Sequence, residues 1–221
     1  MDNPGKSRPF ESLYQKYDAW YDKEPGRSLF GIEVLALQKA LEGLSGRVIE
    51  VGVGSGRFAE ALHVRFGLDS AIKPLGLAKK RGILCVGGDG EALPFQADTF
   101  DVCLLVVTLC FVRNPKAVLK EAFRVLRTGG SVILGLVLLE SPWGKAYRKL
   151  GEEGHPFYSL ATFYTRDMID TTLKELGFSS IETFSTLFQS PGKALYEPEL
   201  PVEGDDPKAG FTVIRAVKSA G

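Results

Sequence analysis

The sequence is short of the residues that make covalent or metal cross-links. It has three cysteines, Cys85, Cys103 and Cys110, and two histidines, His63 and His155. An odd set of cysteines with no Cys-x-x-Cys excludes a disulfide framework. Cys85 and Cys103 lie in apolar, strand-like runs and read as small core residues. Neither histidine has a Cys or carboxylate at ligand spacing, so no metal site is expected. Charge of one sign is also missing, since Lys plus Arg and Asp plus Glu both number 27. Without a basic run a nucleic-acid partner is disfavoured. No run of eighteen apolar residues occurs, and the first twenty residues lack an apolar signal core. The expectation is a cytoplasmic protein with no membrane insertion; oligomeric state stays open. There is no internal repeat and no low-complexity tract.

What is present suits a compact α/β chain. Of 221 residues 44% are hydrophobic, enough for one sizeable core. The informative stretch is Glu50-Val51-Gly52-Val53-Gly54-Ser55-Gly56-Arg57-Phe58. It follows the β-branched run Val48-Ile49 and leads into Ala59-Glu60-Ala61-Leu62, which predicts strand, glycine turn and helix. Such a turn gathers backbone N–H groups and the positive end of a helix, and glycines remove the Cβ atoms that would hold a ligand away. A dinucleotide fingerprint needs Gly-x-Gly-x-x-Gly, but Arg57 stands at its third glycine. The pattern Glu50-x-Gly52-x-Gly54-x-Gly56 instead resembles the first motif of the class I methyltransferases that use S-adenosylmethionine (SAM).

Before the turn, aromatics at Phe10, Tyr14, Tyr17 and Tyr21 follow a helical period and predict one amphipathic helix over 10–22. It reads as a helix packed on the domain or as a lid. A second helix is expected over 29–44. Residues 1–9 should be loose. The organisation is then an N-terminal helical cap over 1–45 and the main domain over 46–221, with an insert near 141–164.

Beyond the turn, Phe66-Gly67-Leu68-Asp69 is a short strand ending in a carboxylate where a βαβ unit returns an acid to a nucleoside ribose. Asp69 offers two acceptor oxygens for the two ribose hydroxyls; Ser70 is the candidate cap for the next helix. Gly82–Val86 reads as a third buried strand. The loop Asp89-Gly90-Glu91 after it resembles the family's adenine-binding loop. A continuous apolar run, 102–107, predicts a central strand ending at Thr108, with Phe111 just beyond. Asn114-Pro115 opens a helix, and Thr128-Gly129-Gly130 ends it before a fifth strand over 131–137. This helix, turn and strand resemble the ubiquinone-biosynthesis-type (type 11) methyltransferases. A helix near 165–177, a strand near 178–187, a loop over 190–210 and a strand over 211–217 complete the chain.

The resemblance, specific over about 46–137, implies a Rossmann-like seven-stranded mixed sheet of order 3-2-1-4-5-7-6, last strand antiparallel, with helices on both faces. It also implies methyl transfer from SAM, leaving S-adenosylhomocysteine (SAH). Cofactor contacts would come from Glu50, Gly52, Val53, Gly54, Gly56, Asp69, Ser70, Asp89, Gly90, Glu91 and Thr108. Substrate contacts would fall to Tyr14, Tyr17, Trp20, Tyr21, Phe111 and Trp143. His155 is a candidate general base, against its plain reading as a surface turn before Pro156. The acceptor is expected to be a small molecule, its nucleophilic atom N, O or C. A non-catalytic SAM-binding partner and a nicotinamide-dependent oxidoreductase are the competing readings.

Overall fold

The computed structural model describes residues 8–219, so most of the loose start expected over 1–9 lies outside them. The hydrophobic runs become strands β1 (Val48–Val51), β2 (Phe66–Asp69), β3 (Leu84–Gly87), β4 (Phe100–Val106), β5 (Leu126–Leu136), β6 (Phe178–Thr186), β7 (Val202–Glu203) and β8 (Phe211–Lys218). They form one sheet in the order β3-β2-β1-β4-β5-β8-β6-β7. The first five pair in parallel; β8 runs antiparallel between β5 and β6. The expected seven-strand order is therefore present, with an eighth, two-residue edge strand added from the segment read as loop.

The helices are α1 (Arg8–Ser12), α2 (Tyr14–Trp20), α3 (Gly26–Leu41), α4 (Arg57–Ala61), α5 (Ile72–Lys80), α6 (Pro115–Val125), α7 (Pro142–Glu152) and α8 (Arg166–Glu175). Side-chain alternation along the strands divides the core in two. Val102, Leu104, Val106, Ile133 and Val213 face Leu29, Ile32 and Leu37 of α3, Phe58 of α4 and Ala78 of α5. Ile49, Cys103, Leu105, Leu134 and Ile214 face Leu119 and Val125 of α6 and Leu173 of α8. A continuous apolar run at β4 is what a strand covered on both faces requires.

Three local expectations need correction. The N-terminal helix breaks at Leu13, whose φ and ψ of −112° and 12° are not helical, into α1 and α2. Strand β3 is the sheet edge and not buried: Leu84 and Val86 are 51% and 39% exposed, and Cys85 is only half-buried. Strand β5 begins at Leu126 and absorbs the Thr128-Gly129-Gly130 turn. By contrast, Asn114 caps α6 by accepting the Ala117 N–H at 3.1 Å, with Pro115 in the first turn.

Among the described residues, no helix is long and apolar enough to cross a membrane, and no group of three or more His, Cys, Asp or Glu could hold a metal ion.

Candidate active site

The carboxyl ends of β1, β2 and β4 open into a cavity of about 770 Å³, where open α/β sheets place their ligands. Its floor is the glycine turn. Gly52, Gly54 and Gly56 all have positive φ, 81°, 53° and 83°, a conformation glycine adopts without strain. The reasons for the three differ, however. A Cβ on Gly52 would sit 2.3 Å from Thr108 Oγ1, and one on Gly56 would sit 2.9 Å from the Ala78 Cβ. Only Gly54 faces open space. Two of the glycines thus serve packing against the protein itself.

The turn's amides are also largely consumed internally. Gly52 and Val53 N–H donate to the Leu68 carbonyl, Gly56 N–H to the Val53 carbonyl, and Gly54 N–H to Asp69 Oδ2 at 2.7 Å. With α4 only five residues long, the helix end is a weak attractor, and the turn acts as a shaped wall more than as a cluster of free donors.

The carboxylates supply the polarity. Glu50, at 2% exposure, has its Oε2 buried without a hydrogen-bond partner. Burial first, then the nearby Asp69 charge, hold its carboxyl well above the ordinary value, while the Ala59 N–H pulls the other way. Burial also raises Asp69, against the Ala71 and Gly54 N–H groups that stabilise its charge. Asp89 is exposed at the rim and accepts the Glu91 N–H at 2.9 Å. Glu91 is committed to Arg113 Nη2 at 3.1 Å and to the Asn114 N–H at 2.9 Å, so it clamps the Asp89 loop to the start of α6. Gly90 and Ser70 line the same cavity. Ser70 does not cap α5, whose first N–H groups, Ile72 and Lys73, are met by Glu11. Thr108 donates to the Val106 carbonyl at 2.9 Å. Beside it Val107, β-branched, holds φ at 49°, a strained conformation of the kind kept where structure over-determines it.

An aromatic roof closes over this floor. Phe10 meets Phe111 edge-on at 4.9 Å and Phe157 at 5.2 Å. Tyr17 meets Phe157 at 5.1 Å, and its hydroxyl lies 3.1 Å from that of Tyr21. Tyr14, Tyr17, Tyr21 and Phe111 all line the cavity. The remaining sequence candidates do not. Trp20 is 40% exposed and packs on Gly26. Trp143, 2% exposed, is a core residue donating its indole N–H to the Gln189 carbonyl at 2.8 Å. His155 Nδ1 faces the Phe157 and Tyr158 N–H groups at 3.4 and 3.3 Å, its ring stacked on Tyr158 at 4.4 Å. That is a turn-forming role, and burial moves the imidazole down from its ordinary value.

The sequence reading named Phe10 only as part of an aromatic helix face and Arg57 only as a break in the glycine pattern, and gave Glu11 and Asp18 no role; together these four seat the roof. Arg57 binds Asp18 through Nε and Nη2 at 2.8 and 2.9 Å, and Arg81 joins at 3.1 Å.

Comparison with known proteins agrees with this geometry. A family model described as a methyltransferase domain matches residues 49–134. A Mycobacterium tuberculosis protein described as uncharacterized is 41% identical over 204 residues, 92% of this chain and 72% of that one. Another from Methanocaldococcus jannaschii is 34% identical over 95% of this chain and 98% of its own. The crystal structure of a Thermotoga maritima protein, described as a SAM-dependent methyltransferase and possible histamine N-methyltransferase, superposes with a TM-score of 0.89. It is 35% identical, covering 97% of this chain and all of the other. With the sheet order, the Glu50–Gly56 turn and this full-length likeness in agreement, the chain belongs to the SAM-dependent methyltransferases.

Proposed function

We propose that the enzyme methylates a small-molecule acceptor bound between the glycine turn and the aromatic roof. The observation that carries this is the single cavity in which Glu50, the turn, Asp69 and Asp89 meet Phe10, Tyr14, Tyr17, Tyr21 and Phe111. The residues suit SAM. A buried, unpartnered Glu50 oxygen is a complement for the cofactor's ammonium, which would return the carboxyl to its charged form. Asp69 keeps lone pairs for ribose hydroxyls after taking two backbone N–H groups. Asp89, exposed beside Gly90, offers an acceptor for the adenine amine, and Val53, Gly54, Ser70 and Thr108 complete the wall.

When bound, SAM supplies an electrophilic methyl on a sulfonium centre. The chain's own part is alignment and exclusion of water, which is worth about 7–11 kcal/mol in well-oriented systems. The roof rings cover the acceptor side with apolar surface, and Tyr17 and Tyr21 hydroxyls give it polar points of attachment. The size of the cavity argues for a small acceptor, since a macromolecule would have to displace the roof.

The test is transfer of label from methyl-tritiated SAM in a cell extract supplemented with the purified enzyme, separated by size. Label in the low-molecular-weight fraction is expected. Label confined to protein or RNA would overturn the small-molecule reading while leaving the methyltransferase family intact.

A further inference from the structure

Helix α5 begins directly after Asp69-Ser70-Ala71 and ends at its C-cap residue Arg81, beside the glycine turn. It brings no cap of its own, because its N-cap residue is Ala71, whose side chain offers no acceptor to the first N–H groups of the helix. The acceptor comes from 61 residues away in the sequence. Glu11, half-buried on α1, takes the Ile72 N–H through Oε1 and the Lys73 N–H through Oε2 at 3.4 Å. A carboxylate at this place also suits the positive end of the helix.

At the other end of α5, Arg81 is a junction. Its Nη1 donates to the Ser55 carbonyl at 2.7 Å, its Nε to Glu60 of α4 at 3.0 Å and its Nη2 to Asp18 of α2 at 3.1 Å. The Arg81 and Asp18 side chains are 18% and 14% exposed, so water competes little for these bonds. The roof thus grips α5 at both ends, α1 at the first turn and α2 at the last. Each grip lands on a wall of the cofactor site. The start of α5 follows Asp69, which accepts the Ala71 N–H at 2.8 Å, and Ser55 lies within the glycine turn and lines the cavity.

We infer that Glu11 and Asp18 are positioning residues for the cofactor. Neither needs to touch it, since α5 carries their effect to the ribose carboxylate at one end and to the Ser55 carbonyl at the other. This rests on the methyltransferase reading of the same site and adds its regulation. Closing of the roof and binding of SAM or SAH are linked, so each strengthens the other by the same factor. Release of SAH after transfer then requires the roof to let go of α5, whereas a roof that only shielded the acceptor could open with the cofactor still held.

The test is calorimetric titration of SAH into the wild type and four variants, with amide exchange of the wild type beside it. Glu11→Ala strips α5 of its cap and Asp18→Asn weakens the other grip; each should weaken SAH binding about fivefold or more. Glu11→Gln keeps a carbonyl acceptor and should bind SAH more tightly than Glu11→Ala. Thr165 caps α8 by accepting the Met168 N–H at 3.3 Å and lies outside the cavity. Thr165→Ala therefore removes a cap of the same kind elsewhere, and should leave SAH affinity unchanged. In the wild type, SAH should slow exchange across α1 and α2 and at Ile72 and Lys73 at least fivefold. Should Glu11→Ala fold poorly, that exchange measurement decides. Wild-type affinity in both Glu11→Ala and Asp18→Asn, Glu11→Gln no tighter than Glu11→Ala, an equal loss in Thr165→Ala, or exchange unaltered by SAH would overturn the inference. Failure of the wild type to bind SAH would instead remove the methyltransferase reading beneath it.

Discussion

Arg57 and Asp18 form a two-pronged ion pair, Nε to Oδ1 at 2.8 Å and Nη2 to Oδ2 at 2.9 Å, that joins the first turn of α4 to the far end of α2. Both side chains are about 15% exposed, and the guanidinium also lies over the Tyr21 ring at 5.6 Å. Arg57 is the residue that breaks the dinucleotide glycine pattern, and its work here is to hold the roof. Charge-assisted, paired hydrogen bonds of this kind contribute about 1.5–3 kcal/mol each. Asp18→Asn should therefore loosen residues 8–21, raising their amide hydrogen exchange tenfold or more while the central strands stay protected. Unchanged exchange in α2 would show that the ring contacts alone suffice.

The same pair sets an acid limit. Burial would raise the Asp18 carboxyl, but hydrogen bonds from Arg57, Ser55 and Arg81 outweigh it and bring it down to about 2. A group lowered on folding stabilises the folded form above its unfolded value, near 4, and the contribution fades as pH falls toward the folded value. Between about pH 4 and 2 the roof should loosen, and Asp18→Asn should flatten that part of the stability profile. A wild-type profile identical to the variant's over that range would contradict this.

Gly52→Ala would bring a methyl to 2.3 Å from Thr108 Oγ1 at a φ of 81°. A loss of about 2–4 kcal/mol is expected. Adding Thr108→Ala should recover part of it, since the Oγ1 and Cγ2 atoms in the way are removed, leaving about 1 kcal/mol of backbone strain. Strict additivity in the double-mutant cycle would mean the two positions do not meet.

Asp69→Ala should weaken SAH binding tenfold or more by removing one or two charged hydrogen bonds. It should also lower the melting temperature, because Asp69 holds the Gly54 and Ala71 amides in place. Asp69→Asn, which keeps one acceptor oxygen, should fall between. Calorimetry on all three proteins reads the order; wild-type affinity in the alanine variant would remove Asp69 from the ribose site.

His155→Ala should leave SAH affinity and the pH dependence of methyl transfer unshifted, and cost about 1 kcal/mol of stability through the lost turn contacts. A displaced acid limb in the rate profile would restore it as a base.

Much of this was legible because the signals were local. The apolar runs, the glycine turn, the Asn114-Pro115 cap and the order of motifs fixed the sheet and its ligand end. The failures share a physical cause, which is that burial and pairing are settled between distant segments. Leu84-Cys85-Val86 has the composition of an interior strand, but its place depends on which neighbour is absent. Trp20 and Trp143 look like pocket aromatics, yet Gly26 and Gly210 take them up elsewhere. Glycines 52 and 56 read as openings for a ligand, whereas Thr108 and Ala78, remote in sequence, are what require them. The Asp18 pairing spans 39 residues, and no local pattern announces it.

Strand β8 pairs with β5 on one side and β6 on the other. During synthesis this has a vectorial consequence. Until residues 211–218 leave the ribosome, β5 and β6 each present an open ladder of amides and carbonyls with no partner between them. The nascent chain must carry two sticky edges through the making of the 24 residues that separate Thr186 from Phe211. The half of the sheet that carries the glycine turn, β1 to β4, can pair earlier, so the cofactor side is in place before the sheet is closed.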